Sequence, residues 1–310
     1  MPALSPRLRA DLSLFLVAII WGTAFVVQRI AAQNMGVFLF NGSRFLLGAL
    51  VLLPFIARRR PANEGSTAGR QWIADHRFTI NRHDLPLVGL AGCLLFGGSA
   101  LQQAGLRYTT AGNAGFITGL YVVFVPLILM IGMRQRLRPL SWIAALLAAI
   151  GIFLLSAQGQ LHLALGDALE LAGSVLWALH VILVSRLVQR MDVLQFAAGQ
   201  FFICGVLNLL IGLVVERAFV RELGGWLAGG WVGIVYTGVI SVGVGYTLQA
   251  MGQKHSPPTD ATLILSMEAV FAALGGWLWL GEALSTLQLL GCALILAAIL
   301  LSQLSPHSTG

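Results

Sequence analysis

Ten long apolar runs leave this chain little choice of fold. They cover approximately residues 12–33, 37–56, 84–105, 110–132, 139–156, 166–188, 194–215, 226–251, 258–280 and 285–303. About 20 apolar residues in a helix cross the ~30 Å hydrocarbon core of a bilayer. No water is present there to take up backbone N–H and C=O groups, so only helices or closed barrels cross. These runs are continuous and rich in Leu, Ala and Gly, whereas barrel strands are about 10 residues of alternating polarity. Composition agrees: 57% of the residues are hydrophobic and only 10% are charged, against about 25% charged in soluble domains. The expected class is an all-α integral membrane protein with ten transmembrane helices. The first run follows Arg7 and Arg9 as a signal peptide would, but it is too long for an h-region and no small-residue cleavage site follows. It is expected to remain as a span.

The net charge of +7 is accounted for by topology. If the N-terminus is cytoplasmic, the inner segments hold Arg7, Arg9, Arg58, Arg59, Arg60, Arg70, Arg77, Arg82, Arg134, Arg136, Arg138, Arg186, Arg190 and Lys254. The outer segments hold only Arg29, Arg107, Arg217 and Arg221. The positive-inside rule then puts both termini in the cytoplasm and gives no reason to expect nucleic acid as a partner. The basic segment 57–83 is expected to be a mobile cytoplasmic loop. Cys93, Cys204 and Cys292 all fall in apolar runs and read as small core residues rather than as metal ligands or disulfides. No cofactor is expected. No phosphate-binding loop of the GxxxxGKS type occurs, so no nucleotide partner is expected either.

The chain also repeats itself. Shifted by 147 positions, LQQAGLRYTTAGNAGFITGLYVVF from Leu101 lies over LQAMGQKHSPPTDATLILSMEAVF from Leu248. Leu101, Gln102, Gly105, Ala114, Val123 and Phe124 then meet Leu248, Gln249, Gly252, Ala261, Val270 and Phe271. The first and sixth runs each carry one Trp near the centre, Trp21 and Trp177. Two halves of five spans follow, residues 11–156 and 166–304. Five is odd, so the halves cross in opposite directions, an arrangement shared by many secondary transporters with substrate near the midplane. Trp226, Trp231, Trp277 and Trp279 fit an outer aromatic belt and Trp142 an inner one.

WGTAFVVQR in the first run and FNGSRFLLGALVLLPF in the second resemble the first repeat of the EamA family, within the drug/metabolite transporter superfamily. PPTDATLILSMEAVFAALGGWLWLGEALSTLQLLGCALILAAILLSQL resembles its second repeat. The resemblance runs from about Asp11 to Leu304. It implies a ten-helix inner-membrane carrier of small metabolites, often an exporter of amino acids or related compounds. The chain departs from the family where a Pro often follows the Glu of the ninth span: here Ala269 follows Glu268, so a proline kink is not expected.

Several polar groups fall inside the spans. Glu268 lies eight residues beyond Asp260, or ~12 Å along a helix. An intramembrane carboxylate marks a functional site by default, although a structural hydrogen bond would also retain it. Arg44, in the second span, suits bidentate binding of a substrate carboxylate, or else holds the bundle by pairing with Glu268 or helix carbonyls. Trp21 and Trp177 offer flat apolar faces with one N–H each; core packing is the plainer reading. His180 recurs on the Trp177 face with Glu170 and either titrates or only hydrogen-bonds. Tyr246 and Gln249 share a face of the eighth run with Gln253. Tyr121 is the counterpart of Glu268 under the 147-residue shift, which would give a site one phenolic and one acidic wall.

The expected function is alternating-access transport of a small molecule, with the bilayer as the other partner and protons as a candidate coupling ion. The competing readings are an intramembrane lipid-modifying enzyme and a non-transporting membrane subunit. The enzyme would need a nucleophile–base pair or a metal cluster, and the chain has no HExxH, GxSxG or paired intramembrane Asp; no catalytic residue is assigned.

Overall fold

The structure is a computed structural model. It describes residues 5–58, 82–134, 139–156, 165–217, 230–282 and 285–303; most of the basic segment 57–83, the link near 160 and Trp226 lie outside them. The described residues contain helices and no strand. In the first half these are α1 (Pro6–Asn34), α2 (Val37–Ala57), α3 (Leu85–Gly105), α4 (Ala111–Gly119), α5 (Tyr121–Met133) and α6 (Pro139–Ser156). In the second half they are α7 (Leu165–Leu187), α8 (Val193–Val215), a π segment (Tyr236–Tyr246), α9 (Thr247–Gln253), α10 (Pro258–Leu265), α11 (Met267–Leu280) and α12 (Thr286–Gln303).

Among the described residues, eight helical stretches are long and apolar enough to cross a membrane, with α4–α5 and α10–α11 each counted as one and the π segment joined to its neighbours as Gly230–Gln253. Two shorter apolar helices, Pro139–Gly151 and Leu289–Ala298, fall in the fifth and tenth runs. The bundle turns large apolar side chains outward, among them Leu50, Ile131, Leu146, Val215, Leu278 and Leu300. That surface suits hydrocarbon, and so large an apolar exterior is unusual for a soluble monomer. Trp231, Trp277 and Trp279 are also exposed, as interfacial anchors are.

Glycines let the helices approach closely. A Cβ at Gly22 of α1 would run into Phe271 Cβ and the Glu268 carbonyl oxygen of α11, and one at Gly48 of α2 into Val242 of the π segment. Without a hydrophobic force between helices in lipid, such close backbone packing supplies much of the association. The packing pairs match when the halves are exchanged. α2 lies on α8 and α6 on α12. α3 packs on α7 as the π segment and α9 pack on α1, and α1 packs on α11 as α7 packs on α4 and α5.

Contacts also give directions. Arg7 at the start of α1 pairs with Asp260 at the start of α10 at 2.8 Å, and Gly22 meets Phe271 further along, so α1 and α10–α11 run parallel. At the far end of α11, the Glu282 carboxylate accepts from Ala111 N and Gly112 N of α4 at 3.3 and 3.4 Å. α4 runs parallel to α7, as Thr118 meets Glu170 and, further on, Arg186 meets Met133. α1 and α7 therefore start at opposite ends of the bundle. Glu216, beyond α8, likewise accepts from Phe38 N and Leu39 N of α2 at 3.1 and 2.9 Å. Both carboxylates satisfy the free N–H groups of a helix N-terminus and complement its dipole.

Three runs depart from a regular straight helix. The ninth run is not one straight helix: it breaks at Ser266, where Ala269 N bonds back to Ser266 O at 3.1 Å, a tight three-residue turn. The Ser266 hydroxyl donates to Leu263 O at 2.7 Å, so a hydroxyl bending the backbone replaces the missing proline. The fourth run breaks at the corresponding place, Leu120, with Val123 N bonded to Leu120 O at 2.9 Å. The eighth run is widened into a π-helix over YTGVISVGVGY, which its apolar composition did not signal.

Candidate functional site

The two breaks sit directly before Tyr121 and two residues before Glu268. Discontinuous helices in corresponding positions of two halves are a pointer to a transport site. Both side chains open onto one cavity of about 30 Å³, walled by α1, α2, α3, α4–α5, α7, the π segment, α9 and α11. Of the residues singled out from sequence, Glu268, Arg44, Trp21, Trp177, Tyr121, Tyr246 and Gln249 line it. So do Phe25, Gln28, Gln102, Thr118, Val181 and Ser241. Thr118 and Ser241 carried no sequence signal, since a lone hydroxyl in an apolar run is as often bonded to its own helix.

Glu268 is 2% exposed and its Oε1 has no hydrogen-bond partner. The Tyr121 hydroxyl lies beside the carboxylate but forms no hydrogen bond of good geometry and is itself unpartnered. Arg44 is 3% exposed. Its Nε donates to Asn41 Oδ1 at 2.9 Å, and Asn41 Nδ2 donates to Ser99 O of α3 at 3.0 Å, so the guanidinium is oriented from two helices. The rings of Phe40 and Phe45 flank it at 5.4 and 5.0 Å, a cation–π setting. Among the described residues no carboxylate comes within 4 Å of Arg44, so the sequence alternative in which Arg44 pairs with Glu268 is not what forms. A cation and a carboxylate face one cavity and leave each other free. Buried charges are costly unless paired.

The remaining walls are aromatic. Trp21 and Tyr246 lie 4.6 Å apart between centroids, and Trp177 stacks on Tyr246 at 6.1 Å. Trp21 Nε1 donates to Ser241 O at 3.1 Å. That carbonyl lies within the π segment, whose widened turn breaks the usual helical pairing; such segments recur at functional sites. Gly245 gives the indole its space, since a Cβ there would come within 2.7 Å of Trp21 Nε1.

His180 stands behind the cavity rather than on it. Its Nε2 shares a 2.8 Å hydrogen bond with Gln200 Oε1, and its ring meets Trp177 and Tyr246 edge-on at 6.0 and 6.2 Å. It holds two wall rings in place. Gln253 is likewise spent on α7, donating to Val181 O and Ser185 Oγ at 3.1 and 3.0 Å. A larger hollow of about 430 Å³ at the end where α1 begins, among Arg9, Lys254 and His255, shares no lining residue with the cavity.

Phe25 and Val181 are 2% and 4% exposed, yet both line the cavity. Cysteines placed at these positions are expected to react with a small polar thiol reagent faster than cysteines at lipid-facing Leu50 or Leu278. Equal rates at all four would make the cavity ordinary core packing.

The family model described as "EamA-like transporter family" matches residues 8–157 and 164–304. An uncharacterized transporter of Archaeoglobus fulgidus is 31% identical over 298 residues, 96% of this chain and 87% of its own length. The uncharacterized inner membrane transporter YedA of Escherichia coli (strain K12) is 25% identical over 304 residues, 95% of this chain and 90% of its own. The threonine/homoserine exporter RhtA of Salmonella typhimurium is 27% identical over 180 residues, 57% of this chain and 59% of its own. A crystal structure superposes with a TM-score of 0.71 at 20% identity, covering 96% of this chain and 97% of that one; at that identity the likeness speaks for the fold alone.

Proposed function

The chain belongs to the EamA-like transporter family of membrane proteins, and from that premise we propose that it is a ten-span secondary carrier, built as two inverted repeats, that moves amino-acid-like zwitterions by alternating access. One observation carries the reading: Arg44 and Glu268 face the same cavity without pairing with each other. Arg44 takes the carboxylate through its planar fork, Glu268 the ammonium, and the Trp21–Tyr246–Trp177 wall the apolar part. The exchangeable packing pairs and the opposed starts of α1 and α7 support the inverted repeat. The cavity, at about 30 Å³, is far below the about 300–1,000 Å³ of a loaded ligand pocket. Transport therefore requires the halves to rock apart around it. The name of the threonine/homoserine exporter supports export, and YedA's an inner-membrane location.

The test is counterflow in proteoliposomes holding only this protein, with labelled L-threonine and a panel of competitors. Free amino acids should compete, and analogues lacking either the amine or the carboxylate should compete poorly. Equal competition by the truncated analogues would remove the two-charge reading. Both termini are assigned to the cytoplasm, so a reporter active only in the periplasm, fused after Ser305, is expected to be silent. Strong activity would reverse the orientation.

A further inference from the structure

A second carboxylate is buried beside the cavity, and the carrier scheme above gives it no task. Glu170, in α7, is 0% exposed. Its Oε2 accepts from the Thr118 hydroxyl at 3.1 Å, and Thr118 Oγ1 accepts from Gln102 Nε2 at 3.2 Å. An amide nitrogen only donates and a hydroxyl has one hydrogen, so the Thr118 hydrogen is committed to Glu170. Glu170 Oε1 has no partner. Thr118 and Gln102 both line the cavity that holds Glu268, so Glu170 is one hydroxyl away from it.

The space for this carboxylate is made by glycine. A Cβ at Gly105 would lie 2.9 Å from both Glu170 Cγ and Oε1. The charged and titratable groups around it are few. Asp167, one turn earlier on α7, accepts from Thr109 Oγ1 at 3.0 Å, and Tyr108 packs against Gly166. Arg107, just beyond α3, is spent on Ala32 O of α1 and on Met35 O just past its end, at 3.1 and 2.8 Å. α5 brings Tyr121, and α11 brings Glu268 across the cavity. α4 and α9 contain no ionisable residue, and Asp260 of α10 is at the other end with Arg7. No cation lies within 4 Å of Glu170 among the described residues.

A carboxylate kept only to hold the bundle would use both oxygens or meet a cation. This one uses one oxygen and leaves the other bare. A metal ion fits poorly, because Gln102 turns a donor rather than an oxygen toward the cluster. We propose that Glu170 is a second proton-exchanging group of the carrier, connected to the substrate cavity through Thr118 and lying between that cavity and the end where α7 begins. The proposal rests on the carrier reading. Thr118 passes its hydrogen to the Glu170 Oε2 carboxylate oxygen while its second lone pair takes a proton from a hydronium ion in the cavity, which is left as water. The threonine ends neutral and one proton has moved outward from the cavity.

Infrared difference spectra of the purified full chain in lipid nanodiscs, titrated with pH, test this without any substrate. Two buried carboxyl C=O bands should titrate. E170Q should remove one and E268Q the other, and T118V should shift the Glu170 band in frequency. In proteoliposomes, E170Q should keep L-threonine counterflow while losing uptake driven by a pH gradient. Identical spectra for E170Q and wild type, or a band that responds to sodium instead of pH, would overturn the assignment, as would intact pH-driven uptake in E170Q. If counterflow fails in the wild type while the two bands behave as stated, the substrate reading falls and the proton site stands.

Discussion

Glu268→Gln is expected to lower net transport about 30-fold or more, since removing one member of a buried, hydrogen-bonded charge pair costs ~2–5 kcal/mol and each ~1.4 kcal/mol is a factor of ten. Membrane insertion and the thermal midpoint should stay close to wild type. The substitution conserves size, and Glu268 Oε1 has no hydrogen-bond partner to lose. Gly22 lets the α1 backbone lie against the Glu268 carbonyl whatever the side chain is. The residual activity separates two roles. If Glu268 exchanges a proton, the Gln variant still swaps substrate for substrate across the membrane, because exchange releases no proton. If it is a fixed partner for the substrate ammonium, exchange fails as well. A Gln variant that transports at the wild-type rate would leave Glu268 a structural residue and end both versions.

Arg44→Lys should also lose transport, by roughly 10–100-fold, the value of a charge-assisted hydrogen bond worth ~1.5–3 kcal/mol. The charge is kept, but the planar fork that grips both carboxylate oxygens is lost. Arg44 is aimed by Asn41, which is itself tied to Ser99 of α3, and a lysine ammonium has no equivalent of the Nε anchor. The discriminating readout is selectivity. With Lys at this position, competition by analogues lacking the carboxylate should approach that of intact amino acids, because the group that told them apart is gone. Unchanged rate and selectivity would assign Arg44 to the flanking Phe40 and Phe45 rings and to bundle stability alone.

The apolar runs, the repeat and the intramembrane charges were legible in the linear sequence because the bilayer enforces them. A span must be long and apolar, and an ionisable group inside one must have a reason. Glu268, Arg44 and the two tryptophans stood out for that cause. Facing was less legible. Lipid and protein interior are both apolar, so the polarity pattern that orients a helix in water is weak here. Thr118, Ser241 and the bare oxygen of Glu170 were therefore invisible, and His180 looked like a cavity group although it braces Trp177 and Tyr246 from behind.

What the sequence by itself determined is that this chain lives in a membrane as helices, in two related halves, with charges it must shelter. What only the tertiary structure decided is which charges meet. Arg44 and Glu268 are 224 residues apart in a chain of 310, and only the packed bundle, with its breaks at Leu120 and Ser266 and its π-widened turn, brings them to one cavity without pairing. Those features arise from how helices settle against one another through glycines and hydroxyls, a balance of backbone geometry and close contact that no single run encodes.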